Sequence, residues 1–124
     1  MPHVLVIEDD PWTAWLVADE LVDRGHQVST ATDAVDALQH LQDTPPDVIV
    51  LDGALGQDVL ECCLDQADRA NTPIIAIGAH AAEPRWLAAS GVRRALPAPV
   101  DVEALARCIA DVARTPQLTG AASR

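Results

Sequence analysis

The residues best placed for chemistry are acidic and stand at the ends of two apolar runs. Val4-Leu5-Val6-Ile7 runs into Glu8-Asp9-Asp10, and Val48-Ile49-Val50-Leu51 runs into Asp52. In an open parallel sheet, ligands bind at the carboxyl ends of strands, where the direction of winding switches. If these two runs are neighbouring strands, several carboxylates converge on one point. Carboxylates packed together repel and raise one another's pKa, so such a cluster is stable chiefly when it shares a hard divalent cation. Mg²⁺ is the natural candidate. The plainer alternative is that Asp10 only caps a helix and Asp52 only ends a strand.

The elements that must position these groups are legible as five short apolar runs alternating with amphipathic stretches. The runs are rich in Val, Ile and Leu with little alternation, as strands covered on both faces are. They predict strands over His3–Glu8, Gln27–Ala31, Asp47–Asp52, Pro73–Ile77 and Arg93–Leu96. Asp10 can cap a helix that has Pro11 at its first position and Gly25 at its end, and Asp33 and Asp101 can cap two more. A helix over Gln57–Asp68 and a short one over Glu83–Ser90, before Gly91, complete the alternation. Alternating strands and helices imply right-handed crossovers. The expected fold is therefore α/β: a doubly wound five-stranded parallel sheet with helices on both faces. Residues 1–114 read as one domain. Residues 115–124, small and polar without periodicity, read as a flexible tail with no effector domain.

At 124 residues the chain holds one domain's worth of core. Its formal net charge of -11, with only eight basic residues scattered along it, argues against a nucleic-acid surface. No apolar run approaches the roughly 20 residues of a membrane span, so a cytoplasmic protein with protein or cation partners is expected. Cys62, Cys63 and Cys108 form neither a disulfide framework nor a zinc spacing.

With these residues in view the chain resembles a response-regulator receiver domain, a flavodoxin-like fold, from Pro2 to about Arg114. Val4-Leu5-Val6-Ile7-Glu8-Asp9-Asp10-Pro11 is similar to the family's first strand and acidic pair, which falls on Glu8 and Asp9. Pro45-Pro46-Asp47-Val48-Ile49-Val50-Leu51-Asp52 looks like the approach to the phosphoacceptor, and Ala31 to Leu38 like the entry to the second helix. Pro73-Ile74-Ile75 resembles the fourth strand. The resemblance implies a phosphorelay signalling domain, not an enzyme, in which Asp52 accepts a phosphoryl group from a histidine kinase or phosphotransfer protein. It also implies Mg²⁺ held by Asp9, Asp52 and the backbone carbonyl of Ala54, with Glu8 helping through water. Phosphoryl transfer asks a protein mainly for positioning and charge neutralisation, and a carboxylate nucleophile with a metal supplies much of both.

The chain also departs from that pattern. Gly78 stands where a Ser or Thr is expected after the fourth strand, and Ala98 where a Lys is expected before a proline. Ala95 takes the place of the aromatic switch residue. The loop from Gly53 to Asp58 is compact and resembles one in a divergent receiver branch. By the same resemblance the Ala98-Pro99 bond is expected to be cis. His80 and Arg85 could swing toward Asp52 in place of the lost Lys, although a solvated surface role is the plainer reading.

Elsewhere, Trp12 and Trp15 lie one turn apart on the first helix, where at least one should be exposed and available to a partner helix bundle. Leu16 and Leu21 are expected to face the sheet instead. Trp86 falls on a face that many receivers use for dimers, so a homodimer is possible. One of the adjacent Cys62 and Cys63 should be partly exposed, and His3, His26 and His40 form no ligand set. A second reading is a pseudo-receiver that binds proteins without being phosphorylated, consistent with the losses at Gly78 and Ala98. Two enzyme classes on related folds are disfavoured. A dehalogenase-type phosphatase would need an Asp where Ala54 stands, and a flavodoxin would need a hydroxyl-rich loop where the chain has Glu8-Asp9-Asp10-Pro11.

Overall fold

The structure is a computed structural model that describes residues 2–52, 55, 57–78, 92–97 and 99–114. Five parallel strands, β1 (His3–Ile7), β2 (Gln27–Ala31), β3 (Val48–Asp52), β4 (Ile74–Ile77) and β5 (Val92–Leu96), form one sheet in the order β2-β1-β3-β4-β5. Four helices are described: α1 (Pro11–Asp23), α2 (Ala34–Asp43), α3 (Gln57–Ala70) and α4 (Val102–Arg114). The chain runs outward from β1 to β2, then returns to β3 on the other side of β1. That reversal places the ends of β1 and β3 side by side, as the sequence requires for its acidic residues to meet.

The continuous apolar runs are explained by two cores, one on each face. Successive side chains of a strand point to opposite faces. Leu5, Ile7, Ile49, Leu51, Ile74 and Ala76 pack with Ala37 and Leu41 of α2 and with Leu60, Cys63 and Ala67 of α3. Val4, Val6, Val48, Val50, Ile75 and Ile77 pack with Val17 and Leu21 of α1 and with Leu105, Ile109 and Val112 of α4. Each Val, Leu or Ile among them, once removed from water, contributes roughly 1.5–3 kcal/mol.

Helix punctuation follows the side chains. The Asp10 carboxylate accepts from the Trp12 N–H, with Pro11 at the first helical position, and Asp33 accepts from the Asp36 N–H at 2.8 Å. Asp101 accepts from the Glu103 N–H at 3.0 Å at the start of α4. Past the end of α1, Gly25 takes a φ of 95° that suits glycine, and the His26 N–H returns to the Leu21 carbonyl at 3.1 Å.

Several boundaries differ from expectation. Glu8, Asp47 and Pro73 lie just outside their strands yet keep ladder contacts: Glu8 N–H to Ala31 O, Asp47 N–H to His3 O, and Ile49 N–H to Pro73 O. α3 runs to Ala70, two residues past the expected Asp68, because Asn71 supplies the left-handed stop (φ 57°) and the Thr72 N–H closes onto the Ala67 carbonyl. Leu16 does not face the sheet. It is 42% exposed, while Ala14, Val17 and Leu21 form the buried stripe. Leu16 lies five residues from Leu21, about 140° around the helix, so the two cannot share a face. The expected helix over 83–90, Trp86 and the tail over 115–124 lie outside the described residues.

Candidate functional site

At the carboxyl ends of β1 and β3, Glu8, Asp9 and Asp52 each offer a carboxylate oxygen, and these oxygens lie within 4.8 Å of one another. Glu8 and Asp52 are buried and Asp9 is exposed. Asp10 stands apart as a cap: its carboxylate accepts from the Thr13 hydroxyl at 2.6 Å, which lowers its pKa. Glu8 is tied into the same turn, since its Oε2 accepts from the Asp10 N–H at 3.2 Å. Burial pushes the Glu8 carboxyl up to about 8, helped by its hydrogen bond to Asp52. Near neutral pH the metal-free cluster therefore retains a proton on Glu8.

Three convergent carboxyl groups form a donor set that suits a hard dication with oxygen ligands, whose charge would displace the Glu8 proton. Glu8, Asp9 and Asp52 are the groups that would hold Mg²⁺. The expected fourth ligand, the carbonyl of Ala54, lies outside the described residues. Just past Asp52, the Leu55 N–H donates to the Asp52 carbonyl at 3.2 Å and Leu55 is buried in the core.

The other half of the site differs in backbone as well as in side chains. Gly78, where a hydroxyl residue was expected, has φ 114°, and its N–H donates to the Leu96 carbonyl at 3.1 Å. That φ lies beyond the left-handed region open to residues with a Cβ, so the strand end is shaped for glycine. Ala95 is half-buried in β5, paired with Ala76, and offers no ring to rotate. Arg93 and Arg94 sit toward the amino end of β5, away from the acidic cluster, as expected. Ala98, its bond to Pro99, His80 and Arg85 lie outside the described residues.

Trp12 and Trp15 are both exposed, at 65% and 54%, and their rings stack at 5.5 Å with 21° between planes. Both rings are therefore exposed, where at least one was expected to be, and they pack on each other along α1. Sequence reasoning missed a cavity of about 720 Å³ beside the cluster, walled partly by Thr13, Leu16, Val17 and Glu20 of α1. The i, i+3, i+4, i+7 spacing of those four residues was the available signal.

A doubly wound sheet of order 2-1-3-4-5 with an acidic cluster at its switch point defines a class of α/β module, and the comparisons specify which. The family profile described as the response regulator receiver domain matches residues 4–110, and this chain belongs to that family of signalling modules. The transcriptional regulatory protein GlrR of Escherichia coli is 30% identical over 113 residues, covering 88% of this chain and 26% of that protein. KdpE of Mycobacterium tuberculosis, also a transcriptional regulatory protein, is 42% identical over 64 residues, or 48% of this chain and 28% of that one. The chain therefore spans about a quarter of the length of these curated relatives.

Among solved structures, the chemotaxis protein CheY4 of Vibrio cholerae superposes with a TM-score of 0.79 at 25% identity, over 90% of this chain and 98% of that one. NtrX of Brucella abortus, solved in complex with ADP, superposes with a TM-score of 0.81 at 28% identity, over 98% of this chain and 28% of that one.

Proposed function

We propose that this receiver accepts a phosphoryl group on Asp52 from a histidine kinase or phosphotransfer protein. The observation that carries the reading is the convergence of Glu8, Asp9 and Asp52 at the ends of two adjacent strands. An Asp52 carboxylate oxygen forms the new P–O bond as the P–N bond of the donor phosphohistidine breaks, the imidazole leaving with the electron pair. Mg²⁺ held by Asp9, Asp52 and the Ala54 carbonyl, with Glu8 helping through water, would supply charge neutralisation for that transfer. The chain's own part is to hold Asp52 at a buried strand end, keep Glu8 and Asp9 beside it, and leave α1 open to the donor. The exposed Trp12-Trp15 pair on α1 suits a helical protein partner, and a net charge of -11 disfavours nucleic acid.

One observation favours a second reading, a pseudo-receiver that binds partners without modification. A phosphoryl group would find no hydroxyl at Gly78, and the backbone there is shaped to keep glycine. The deciding experiment treats the purified protein and its Asp52→Asn variant with acetyl phosphate and Mg²⁺ and follows intact mass. Gain of one phosphoryl mass by the parent alone supports acceptance at Asp52. An unchanged mass, together with no response to beryllofluoride, refutes it in favour of the second reading.

A further inference from the structure

β2 is an edge strand, and among the described residues no strand lies beyond it. Its inner bonds fix which groups face outward. The Gln27 N–H donates to the Pro2 carbonyl at 3.2 Å and the Ala31 carbonyl accepts from the Glu8 N–H at 3.0 Å, so Gln27, Ser29 and Ala31 serve the ladder with β1. In a parallel pair every second residue turns both its main-chain groups the other way. Val28 and Thr30 therefore carry their N–H and C=O groups on the outer edge. Edge strands are commonly guarded by a charge, a proline or a bulge. β2 reads Gln-Val-Ser-Thr-Ala, with no charge or proline, and its register with β1 is unbroken.

The helix beside this edge carries an apolar flank. α1 lies over β1 and β2, and α4 over β3 and β5. Ala14, Val17 and Leu21 of α1 face the sheet, and Thr13, Leu16 and Glu20 line the cavity on the side of Val100 and Val102, which lead into α4. At about 100° per residue, the opposite flank, turned toward the outer edge of β2, is Pro11, Trp15, Ala18 and Val22. All four are apolar, and Trp15 and Val22 are more than half exposed. Charge adds a further point. Arg24 to Thr32 contain no carboxylate, in a chain that has 19. A second copy, itself at net charge -11, would meet no acid where the two edges touch.

We propose that β2 is the seam of a homodimer, in which two copies of this chain join β2 to β2 antiparallel and continue the sheet across both. A two-fold axis through Ser29, perpendicular to the sheet, sets Val28 against Thr30 of the second copy and Thr30 against its Val28. Each such pair exchanges both its main-chain bonds, so all the outward groups of the strand are satisfied. The same axis runs α1 antiparallel to its copy on one face of the sheet. Trp15 then meets Ala18 and Val22 meets Pro11, a larger side chain on a smaller one at each contact. An extended peptide of another protein would satisfy the main chain but leave that flank of α1 bare, so a second copy fits both features. The seam lies at the opposite edge of the sheet from β5.

The test is sedimentation of the whole chain from about 20 μM to about 2 mM, with circular dichroism to follow folding. A dissociation constant of about 0.1–1 mM is expected for so short a seam. Thr30→Pro removes an N–H that the β1 ladder does not use, so it is expected to fold and to stay monomeric throughout. Val22→Lys makes the chain less acidic and yet is expected to weaken the dimer about tenfold, the reverse of what overall repulsion would give. Isotope-filtered NMR of mixed labelled and unlabelled chains is expected to show a cross-peak between the Val28 and Thr30 amide protons. Within one extended strand these lie about 6.6 Å apart, at 3.3 Å per residue, whereas across the seam they are direct neighbours. A chain that is monomeric at the highest concentration, or a dimer that lacks this cross-peak, would overturn the proposal. So would a dimer that Val22→Lys or a folded Thr30→Pro leaves intact. Asp52 takes no part in the seam, so failure here leaves phosphoryl acceptance untouched.

Discussion

Putting a hydroxyl back at position 78 should not repair the switch, and it should cost stability. Gly78 has φ 114°, and its N–H is held by the Leu96 carbonyl, the last residue of β5. A Thr there either keeps this backbone and accepts steric strain of about 1–3 kcal/mol, or rotates to negative φ and forfeits a hydrogen bond of roughly 0.5–1.5 kcal/mol. Each kcal/mol lowers the melting temperature of a domain this size by roughly 3–6 °C. Gly78→Thr is therefore expected to melt several degrees lower than the parent, followed by circular dichroism with Mg²⁺ present. Gly78→Ala should fall by a similar amount, since the strain comes from Cβ and not from the hydroxyl. Neither variant should gain stabilisation from beryllofluoride relative to the parent. A Thr variant that melts at or above the parent, or binds beryllofluoride more tightly, would show that the backbone readily accepts a side chain at this strand end.

Two further outcomes follow from the buried titratable groups. His26 has a buried Nδ1 without a hydrogen-bond partner, and burial lowers its pKa. The neutral ring is thus the one that folds, so its contribution is complete above the unfolded value near 6.5 and is lost as pH falls from there through the depressed folded value. Denaturant melts from pH 8 to pH 5 should show this loss, and His26→Asn should remove it; an unchanged slope in the variant would assign the effect elsewhere. Burial also raises the Cys63 thiol to about 11, while Cys62, about 100° around α3 from it, is exposed. Iodoacetamide at pH 8 should alkylate Cys62 in the folded protein and reach Cys63 only after denaturation, and peptide mapping that finds Cys63 modified first would refute this burial.

Much of the fold was legible because strands covered on both faces leave few polar residues to blur their limits. Val4 to Ile7 and Val48 to Leu51 serve two cores at once, and their acidic ends followed directly. The clustering of Glu8, Asp9 and Asp52 was readable for the same reason, as it needs only two neighbouring strands and the place where each stops. Leu16 was misassigned because hydrophobicity alone does not say which of two adjacent helix faces meets the sheet, and the stripe through Ala14, Val17 and Leu21 contains a small residue that carries little signal. The end of α3 was set two residues early because Asn71, not a glycine, takes the left-handed turn. The φ of Gly78 was out of reach from sequence: the letter reports a missing hydroxyl, and only the backbone reports that nothing else fits.

The core also has an optical consequence. The chain contains three Trp and no Phe or Tyr, and the described core is built without a single ring. Trp12 and Trp15 are already in contact with water in the native state and stack on each other outside the sheet. In a Trp86→Leu background, which removes the third indole, their emission therefore reports the surface of α1 rather than the integrity of the fold. A partner that covers α1 should shift it to the blue with no change in helix content. Unfolding should instead unstack the pair, so the excitonic feature it adds to the circular dichroism vanishes while the emission wavelength moves little. Docking and denaturation thus leave different spectral marks on the same two side chains, without a label.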